Sequence, residues 1–395
     1  MPAEFYIFGV TLAGVAIFHR RALPIAAAGL VAVIAWQWGY SAFPAGTGLS
    51  GLAAHFAHEW VILANLFLLL VGFALLAAHF EQSGLPKEFP QWLPDDWTGA
   101  MALLAIVFFI SGFLDNIAGA LIGGAMAHTL FRGRVRVGYL AAIVAASNAG
   151  GAGSVIGDTT TTMMWISGIS PLEVLHAYIP AAVALLVFGV PAALAQQRFA
   201  PIIKDPEPAL AIDWARVTVV VVILASAVAV NVGVNSRVPH LADQFPFIGA
   251  AVAGAIAATA AWRRPDWHIV PGAIKGSVFL LCLVATASLM PVESLPDPTW
   301  QSAFMLGLFS AFFDNIPLTA LALKQGGYDW GVLAYAVGFG GSMLWFGSSA
   351  GVAICSMFPE ARSTGRWLRE GWPVAVAYVV GFAALIAILG WNPSG

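Results

Sequence analysis

The chain has 395 residues, of which 60% are hydrophobic and only 9% charged, and its mean hydropathy is +0.85. An ordinary soluble domain carries about a quarter charged residues, so these figures exclude a soluble globular protein and define an all-α polytopic membrane protein. The formal net charge of −3 singles out no partner class. The bilayer is the expected surroundings, with no role for nucleic acid, and the two cysteines, Cys282 and Cys355, sit in apolar segments as small buried residues rather than as a disulfide framework.

Taken in order, the chain begins Met1-Pro2-Ala3-Glu4, with no basic leader and no small-residue cleavage site, so the first apolar run reads as a retained span. Apolar runs that can cross a bilayer, at roughly 20 residues each, fall at 4–18, 22–43, 59–80, 137–165, 172–197, 213–234, 245–262, 268–290, 329–357 and 371–391. Two more, 98–131 and 300–325, are each interrupted by a polar motif. The first carries Ser111-Gly112-Phe113-Leu114-Asp115-Asn116. The second carries Ser310-Ala311-Phe312-Phe313-Asp314-Asn315, with Ser, aromatic, Asp and Asn at the same spacing 199 residues later. A charge at the centre of a bilayer costs roughly 2.5–3.5 kcal/mol on insertion scales. Two such motifs, one in each half, indicate a duplicated unit.

Each motif-bearing stretch reads either as one long span or as a re-entrant hairpin with the Asp-Asn near its tip. Basic residues decide, because cytoplasmic loops collect Lys and Arg. With both stretches as hairpins and the N-terminus outside, 15 of the 17 basic residues face the cytoplasm: Arg20, Arg21, Lys87, Arg132, Arg134, Arg136, Arg198, Lys204, Arg216, Arg263, Arg264, Lys275, Arg362, Arg366 and Arg369. Only Arg237 and Lys324 face outward. Crossing hairpins would put these clusters in opposition. The expected topology is therefore ten crossings with both termini outside. Five crossings per half invert the second half, which is the inverted-repeat (5+5) plan of secondary transporters. The first repeat is 1–199, a proline-rich cytoplasmic linker follows at 200–212, and the second repeat is 213–395.

A glycine-broken span follows each hairpin. The first contains Ser147, Asn148, Gly150, Gly151 and Gly157-Asp158-Thr159-Thr160-Thr161-Thr162; the second contains Gly340, Gly341, Ser342, Gly347, Ser348 and Ser349. The Gly-Gly pair and the later Gly coincide at an offset of 190. Glycines weaken the helix and hydroxyls satisfy the freed backbone. Broken helices present carbonyls and helix ends to ions. The same glycines are also the close-packing residues of membrane helices, and both readings stand. Asp115, Asp158 and Asp314 have no Lys or Arg at helical spacing in their segments, so they are read as functional. Asn116 and Asn315 can cap half-helices as well as ligate. His79, His128 and His176, near span ends, are read as interfacial.

Ser111…Asp115-Asn116, Asn148…Gly157-Asp158-Thr159-Thr160-Thr161-Thr162-Met163-Met164-Trp165 and Ser310…Asp314-Asn315-Ile316-Pro317 resemble the NhaD-type sodium/proton antiporters. These belong to the ion transporter superfamily, with the arsenite, citrate and dicarboxylate carriers. The resemblance covers about 60–391, and its specific part is the run from Gly157 to Trp165. It implies an inverted-repeat, dimeric transporter of the cell inner membrane in which a transport domain moves against a scaffold. By the same resemblance the functional positions are Ser111, Asp115, Asn116, Asn148, Asp158, Thr160, Thr161, Ser310 and Asn315, with a serine among Ser342, Ser348 and Ser349. Na⁺ (or Li⁺) and H⁺ are the expected cargo, with no other cofactor, and Asp115, Asp158 and Asn315 are the expected Na⁺ ligands.

The leading expectation is thus an exchanger of Na⁺ (or Li⁺) for H⁺. Carboxylates crowded in a low dielectric repel one another and are poorly solvated, so a proton and a sodium ion compete for the same oxygens. The alternative is a sodium-coupled carrier of citrate, a dicarboxylate or an oxyanion, although an anion site calls for Arg, Lys or helix N-termini. An intramembrane aspartyl protease also uses paired acids, but Val155 stands where a Gly-x-Gly-Asp motif has its first glycine. A passive channel is disfavoured by the paired hairpins and broken helices.

Overall fold

The computed structural model describes residues 2–18, 21–204, 211–238, 241 and 244–393. Arg20, and residues 205–210 of the proline-rich linker, lie outside the described residues. In chain order the helices are α1 (Ala3–Ile17), α2 (Ala22–Tyr40), α3 (Gly48–Gln82), α4 (Leu85–Trp92), α5 (Trp97–Ser111), α6 (Asn116–Leu130), α7 (Val137–Ala152), α8 (Thr159–Ile166) and α9 (Pro171–Leu175). The second half adds α10 (Tyr178–Phe199), α11 (Trp214–Arg237), α12 (Phe247–Thr259), α13 (Val270–Ser288), α14 (Trp300–Ser310), α15 (Asn315–Gln325), α16 (Trp330–Gly340), α17 (Ser349–Met357) and α18 (Thr364–Leu389). Among the described residues no strand forms beyond one isolated bridge, Phe43 to Gly46. Among the described residues six stretches are long and apolar enough to cross a membrane: Ala22–Tyr40, Gly48–Gln82, Pro171–Phe199, Trp214–Val234, Trp267–Ser288 and Thr364–Leu389. Shorter apolar helices include α1, α5, α7, α12 and α16.

The chain divides into two compact units that do not follow its two halves; each draws segments from both. The first comprises residues up to 79, 217–297 and 316–326. In it α2 packs on α1 and α13. Close approach needs small residues: a Cβ on Gly72 of α3 would fall 2.4 Å from Val252 of α12. Asn65 accepts the Gly249 amide proton at 2.9 Å. A buried polar seam crosses this unit, because apolar helices cannot leave polar groups unpaired. Gln37 donates to the Leu289 carbonyl at 2.7 Å, His55 meets Ser288 at 2.9 Å, and Lys324 donates to the Ser288 and Met290 carbonyls at 2.5 Å each. Lys324 thereby places a cation on the carbonyls at the end of α13, where a helix dipole favours one. His79 lies in the last turn of the 35-residue α3 and is buried, at 1% exposure. Cys282 is only half-buried, whereas Cys355 is buried, and both are free thiols.

The second unit comprises residues 80–216, 298–315 and 327–395. Every residue of α7 and of α16 is buried, so these two helices form its centre. Both are built from small and apolar residues on all faces, as a helix enclosed by other helices must be. α5 and α6 pack on α7, α14 packs on α16, α7 touches α16, and α6 lies against α17. Each expected interruption is present as a break between two helices: 112–115 between α5 and α6, 153–158 between α7 and α8, 311–314 between α14 and α15, and 341–348 between α16 and α17.

Candidate functional site

The break between α7 and α8 ends in Asp158, which has extended backbone and N-caps α8 by accepting the Thr160 amide proton at 3.0 Å. The threonines that follow tie down the unwound stretch. Thr161 donates to the Ser154 and Asp158 carbonyls, and Thr162 to those of Val155 and Asp158. Their hydroxyls replace the helical partners that residues 153–158 give up. The matching break in α16–α17 ends in Ser348, which N-caps α17 through the Gly351 amide.

The two breaks share a local geometry. A Cβ on Gly151 would fall 2.6 Å from the Gly157 carbonyl oxygen, and one on Gly341 would fall 2.7 Å from that of Gly347. A Cβ on Gly150 would fall 1.9 Å from the Phe108 carbonyl oxygen, and one on Gly340 would fall 2.2 Å from that of Gly307. Gly150 and Gly340 thus let α7 and α16 come into backbone contact with α5 and α14. Close packing and helix breaking are thus done by the same residues. The copies differ where chemistry is concerned: the acid Asp158 in one corresponds, at an offset of 190, to the neutral Ser348 in the other.

A single network surrounds Asp158, which is 2% exposed. Its Oδ2 accepts from Asn116 Nδ2 at 3.2 Å and from Asn315 Nδ2 at 3.4 Å. Asn116 and Asn315 are the first residues of α6 and α15, so each Asp-Asn motif delivers its asparagine to the same carboxylate. Asn116 also donates to Asn148 Oδ1 at 3.1 Å, and Asn148 Nδ2 donates to Ser342 Oγ at 2.9 Å and Ser348 Oγ at 3.1 Å. Asn148 thereby ties the first broken helix to the second. Asp115 and Asp158 lie close enough to repel, as do Asp158 and Asp314. Asp314 also accepts from Ser349 at 3.1 Å. Among the described residues no Lys or Arg is buried, so no basic side chain sits enclosed against Asp158.

The remaining expected residues hold the frame. Ser111 meets Ser147 at 3.2 Å, Ser147 donates to the Asn116 carbonyl, and Ser310 donates to the Val337 carbonyl at 2.7 Å. Thr161 is likewise engaged with backbone. Thr160 differs from all of these: its hydroxyl is fully buried beside Asp158 and is not tied to the backbone. Asp115 caps the start of α6 by position but makes no side-chain cap bond. Among the described residues no three or more His, Cys, Asp or Glu gather as a metal cluster. The site's oxygens come instead from amides, hydroxyls and dispersed acids.

Sequence reasoning missed Ser147, which bridges Ser111 to Asn116, and Gly338. At the offset of 190 Gly338 matches Asn148, and a Cβ there would lie 3.5 Å from Asp158 Oδ2. The signal was available: extending the repeat alignment a few residues upstream of the Gly-Gly pairs pairs Asn148 with Gly338.

Broken helices meeting around a buried carboxylate, in a chain with helices of membrane-crossing length, define a secondary transporter rather than an enzyme. The profile of the family described as Citrate transporter (CitMHS) matches residues 13–340, and the chain belongs to that family. Similar curated proteins include sodium/proton antiporter 1 of Arabidopsis thaliana, 29% identical over 72% of this chain and 54% of its own length. Another is the Na⁺/H⁺ antiporter NhaD of Alkalimonas amylolytica, 25% identical over 94% of this chain and 86% of its own. A third is NhaD of Vibrio parahaemolyticus, 26% identical over 75% and 83%. The chain spans about half the length of the first of these plant relatives. The chain is thus a member of the Citrate transporter family that is similar, at 24–26% identity, to bacterial proteins named Na⁺/H⁺ antiporter NhaD.

Proposed function

We propose that this chain exchanges Na⁺ (or Li⁺) for H⁺, with Asp158 as the carboxylate for which the two ions compete. The observation that carries the reading is a buried acid whose enclosed neighbours are neutral amides and hydroxyls. A bare carboxylate in such a place is costly to hold. A proton or a small hard cation relieves that cost, and only one of them can occupy the same oxygens at a time. Asp115 and Asp314 supply further negative potential nearby, and Asn148, Ser342, Ser348 and the Thr160 hydroxyl supply neutral oxygens. The names of the antiporter relatives agree with this reading.

The same reading takes the four breaks as two re-entrant hairpins and two broken helices of a 5+5 inverted repeat. The close backbone contacts of Gly150 and Gly151, repeated at Gly340 and Gly341, support it. The unit that holds the site is then the moving transport domain, in a homodimer of the inner membrane with both termini outside. A topology test follows: a single cysteine at Arg134, in a chain lacking Cys282 and Cys355, is expected to resist a membrane-impermeant maleimide added to intact cells. Efficient labelling there would overturn the topology.

A second reading, a sodium-coupled citrate carrier, is favoured by the description of the family profile. The absence of a buried Lys or Arg among the described residues weighs against it, because an enclosed carboxylate substrate needs a positive partner.

Thr160→Ala tests the ligand shell. It removes one neutral oxygen and leaves the charge, so the Na⁺ concentration for half-maximal exchange is expected to rise by about tenfold, the equivalent of roughly 1.4 kcal/mol, with the maximal rate kept. Because the hydroxyl is not tied to the backbone, thermal stability is expected to change little. A fall in stability with unaltered Na⁺ dependence would assign Thr160 to the frame instead.

A further inference from the structure

We propose that the junction of α7, α10 and α18 carries a binding site for the headgroup of an anionic phospholipid. These three helices pack on one another. The start of α7, the end of α10 and the start of α18 come together at one end of the junction, where Gln196 holds the segment before α7 and Arg136 meets Glu370 of α18. Arg134 and Arg136 precede α7, Phe199 ends α10, and Arg366, Arg369 and Glu370 lie in the first two turns of α18.

The charges at this end do not balance. Arg136, Arg366 and Arg369 all converge on the one carboxylate of Glu370, at 3.6, 3.6 and 3.9 Å. The guanidiniums of Arg134 and Arg136 both lie over the ring of Phe199, at 5.4 and 6.0 Å from its centroid. Three arginines thus share one acid, and a fourth, Arg134, stands beside Arg136 over the same ring. Like charges gathered this closely repel, and a phosphodiester, with oxygens that accept bidentate bonds from guanidinium forks, offsets that repulsion.

The arrangement is held in place rather than being a loose run of surface arginines. Gln196, fully buried, accepts the Arg136 amide proton at 2.8 Å and donates to the Arg134 carbonyl at 3.0 Å. Gly133, with φ of 74°, closes the preceding turn by donating to the His128 carbonyl at 2.8 Å. The backbone carrying Arg134 and Arg136 is therefore fixed while their side chains reach outward.

The occupant is a lipid because of what adjoins the arginines. On α18, Leu368 and Trp372 are 49% and 59% exposed, and Val376 continues the apolar surface a turn further on at 41%. A headgroup on the arginines would lay its acyl chains along this face. Charge then stands at headgroup level and hydrocarbon beneath it. The proposal rests on the chain spanning a bilayer and is independent of which ion is exchanged.

The test uses the full chain, purified and placed in nanodiscs of phosphatidylcholine with increasing phosphatidylglycerol, and reads bound lipid by native mass spectrometry. Phosphatidylglycerol is expected to be retained in preference to phosphatidylcholine. Arg134→Gln with Arg369→Gln is expected to weaken retention by about thirtyfold, at roughly fivefold per arginine near an anionic surface. Added salt is expected to weaken it further. The singles, both at exposed side chains, are read separately should the double variant misfold. Arg263→Gln with Arg264→Gln removes two positive charges elsewhere and is expected to leave retention unchanged. Equal retention of the two lipids, equal loss with the Arg263 and Arg264 changes, or full displacement by millimolar inorganic phosphate would each overturn a lipid site.

Discussion

Asp158→Asn is expected to abolish sodium-driven proton movement while the chain still inserts and folds. The substitution keeps the size of the side chain and removes its charge and its titratable proton. The Thr160 amide and the Asn116 and Asn315 side chains all point donors at this carboxylate. Whichever way an asparagine amide turns, one donor set loses its acceptor, a cost of about 1–3 kcal/mol. The effect on cation binding is larger. A unit charge 4 Å from a cation at an effective dielectric of 20 is worth about 4 kcal/mol, so affinity is expected to fall roughly a thousandfold. Exchange by proteoliposomes carrying equal amounts of parent and variant checks this. Exchange by Asp158→Asn at the parent rate would remove the residue from the mechanism.

Gly150→Ala is expected to be among the most damaging single methyls in the described residues. Its Cβ would sit 1.9 Å from the Phe108 carbonyl oxygen and 2.7 Å from the carbonyl carbon, both backbone atoms of α5, with no flexible side chain to yield. α5 and α7 would have to separate, and with them the break between α5 and α6 that delivers Asn116 to Asp158. Overpacking of a core costs about 1–3 kcal/mol when side chains can adjust, and here they cannot. A sharp loss of monodisperse protein and of thermal stability is expected. Gly340→Ala, 2.2 Å from the Gly307 carbonyl oxygen, is expected to behave alike. Gly254→Ala, with nothing within 4 Å, is expected to be neutral or to stabilise α12 by about 0.5–1 kcal/mol. Equal thermal stability for Gly150→Ala and Gly254→Ala would contradict the close contact of α5 with α7.

Much of the site was legible because membranes make polar residues conspicuous. An Asp-Asn pair in a run of hydrocarbon marks an interruption, and all four expected interruptions fall where helices end and restart. Asn116, Asn148, Asp158, Asn315, Ser342 and Ser348 join in one network. The sequence was less informative on which hydroxyls face the acid. Thr160 and Thr161 are neighbours in a run of four, yet one hydroxyl lies beside Asp158 and the other is tied to the backbone, because they point from different sides of the first turn of α8. Helix length was also under-read. Hydropathy marked a span at 59–80, whereas α3 runs from Gly48 to Gln82, about 52 Å at 1.5 Å per residue. Hydropathy finds what lipid requires, and residues 48–58 form helix without being apolar enough to count. The compact units were not legible at all, since each is assembled from segments far apart in the chain.

The central claim is competition between a proton and a sodium ion for one buried carboxylate. The most direct measurement is made on the full chain in proteoliposomes with a pH dye trapped inside, after imposing a pH gradient. Na⁺ or Li⁺ is expected to discharge the gradient, K⁺ and citrate are expected to leave it, and acidifying the medium is expected to raise the Na⁺ needed for half-maximal discharge without changing the maximal rate. Uptake of citrate with no proton movement on adding Na⁺, or a Na⁺ requirement indifferent to pH, would contradict the account.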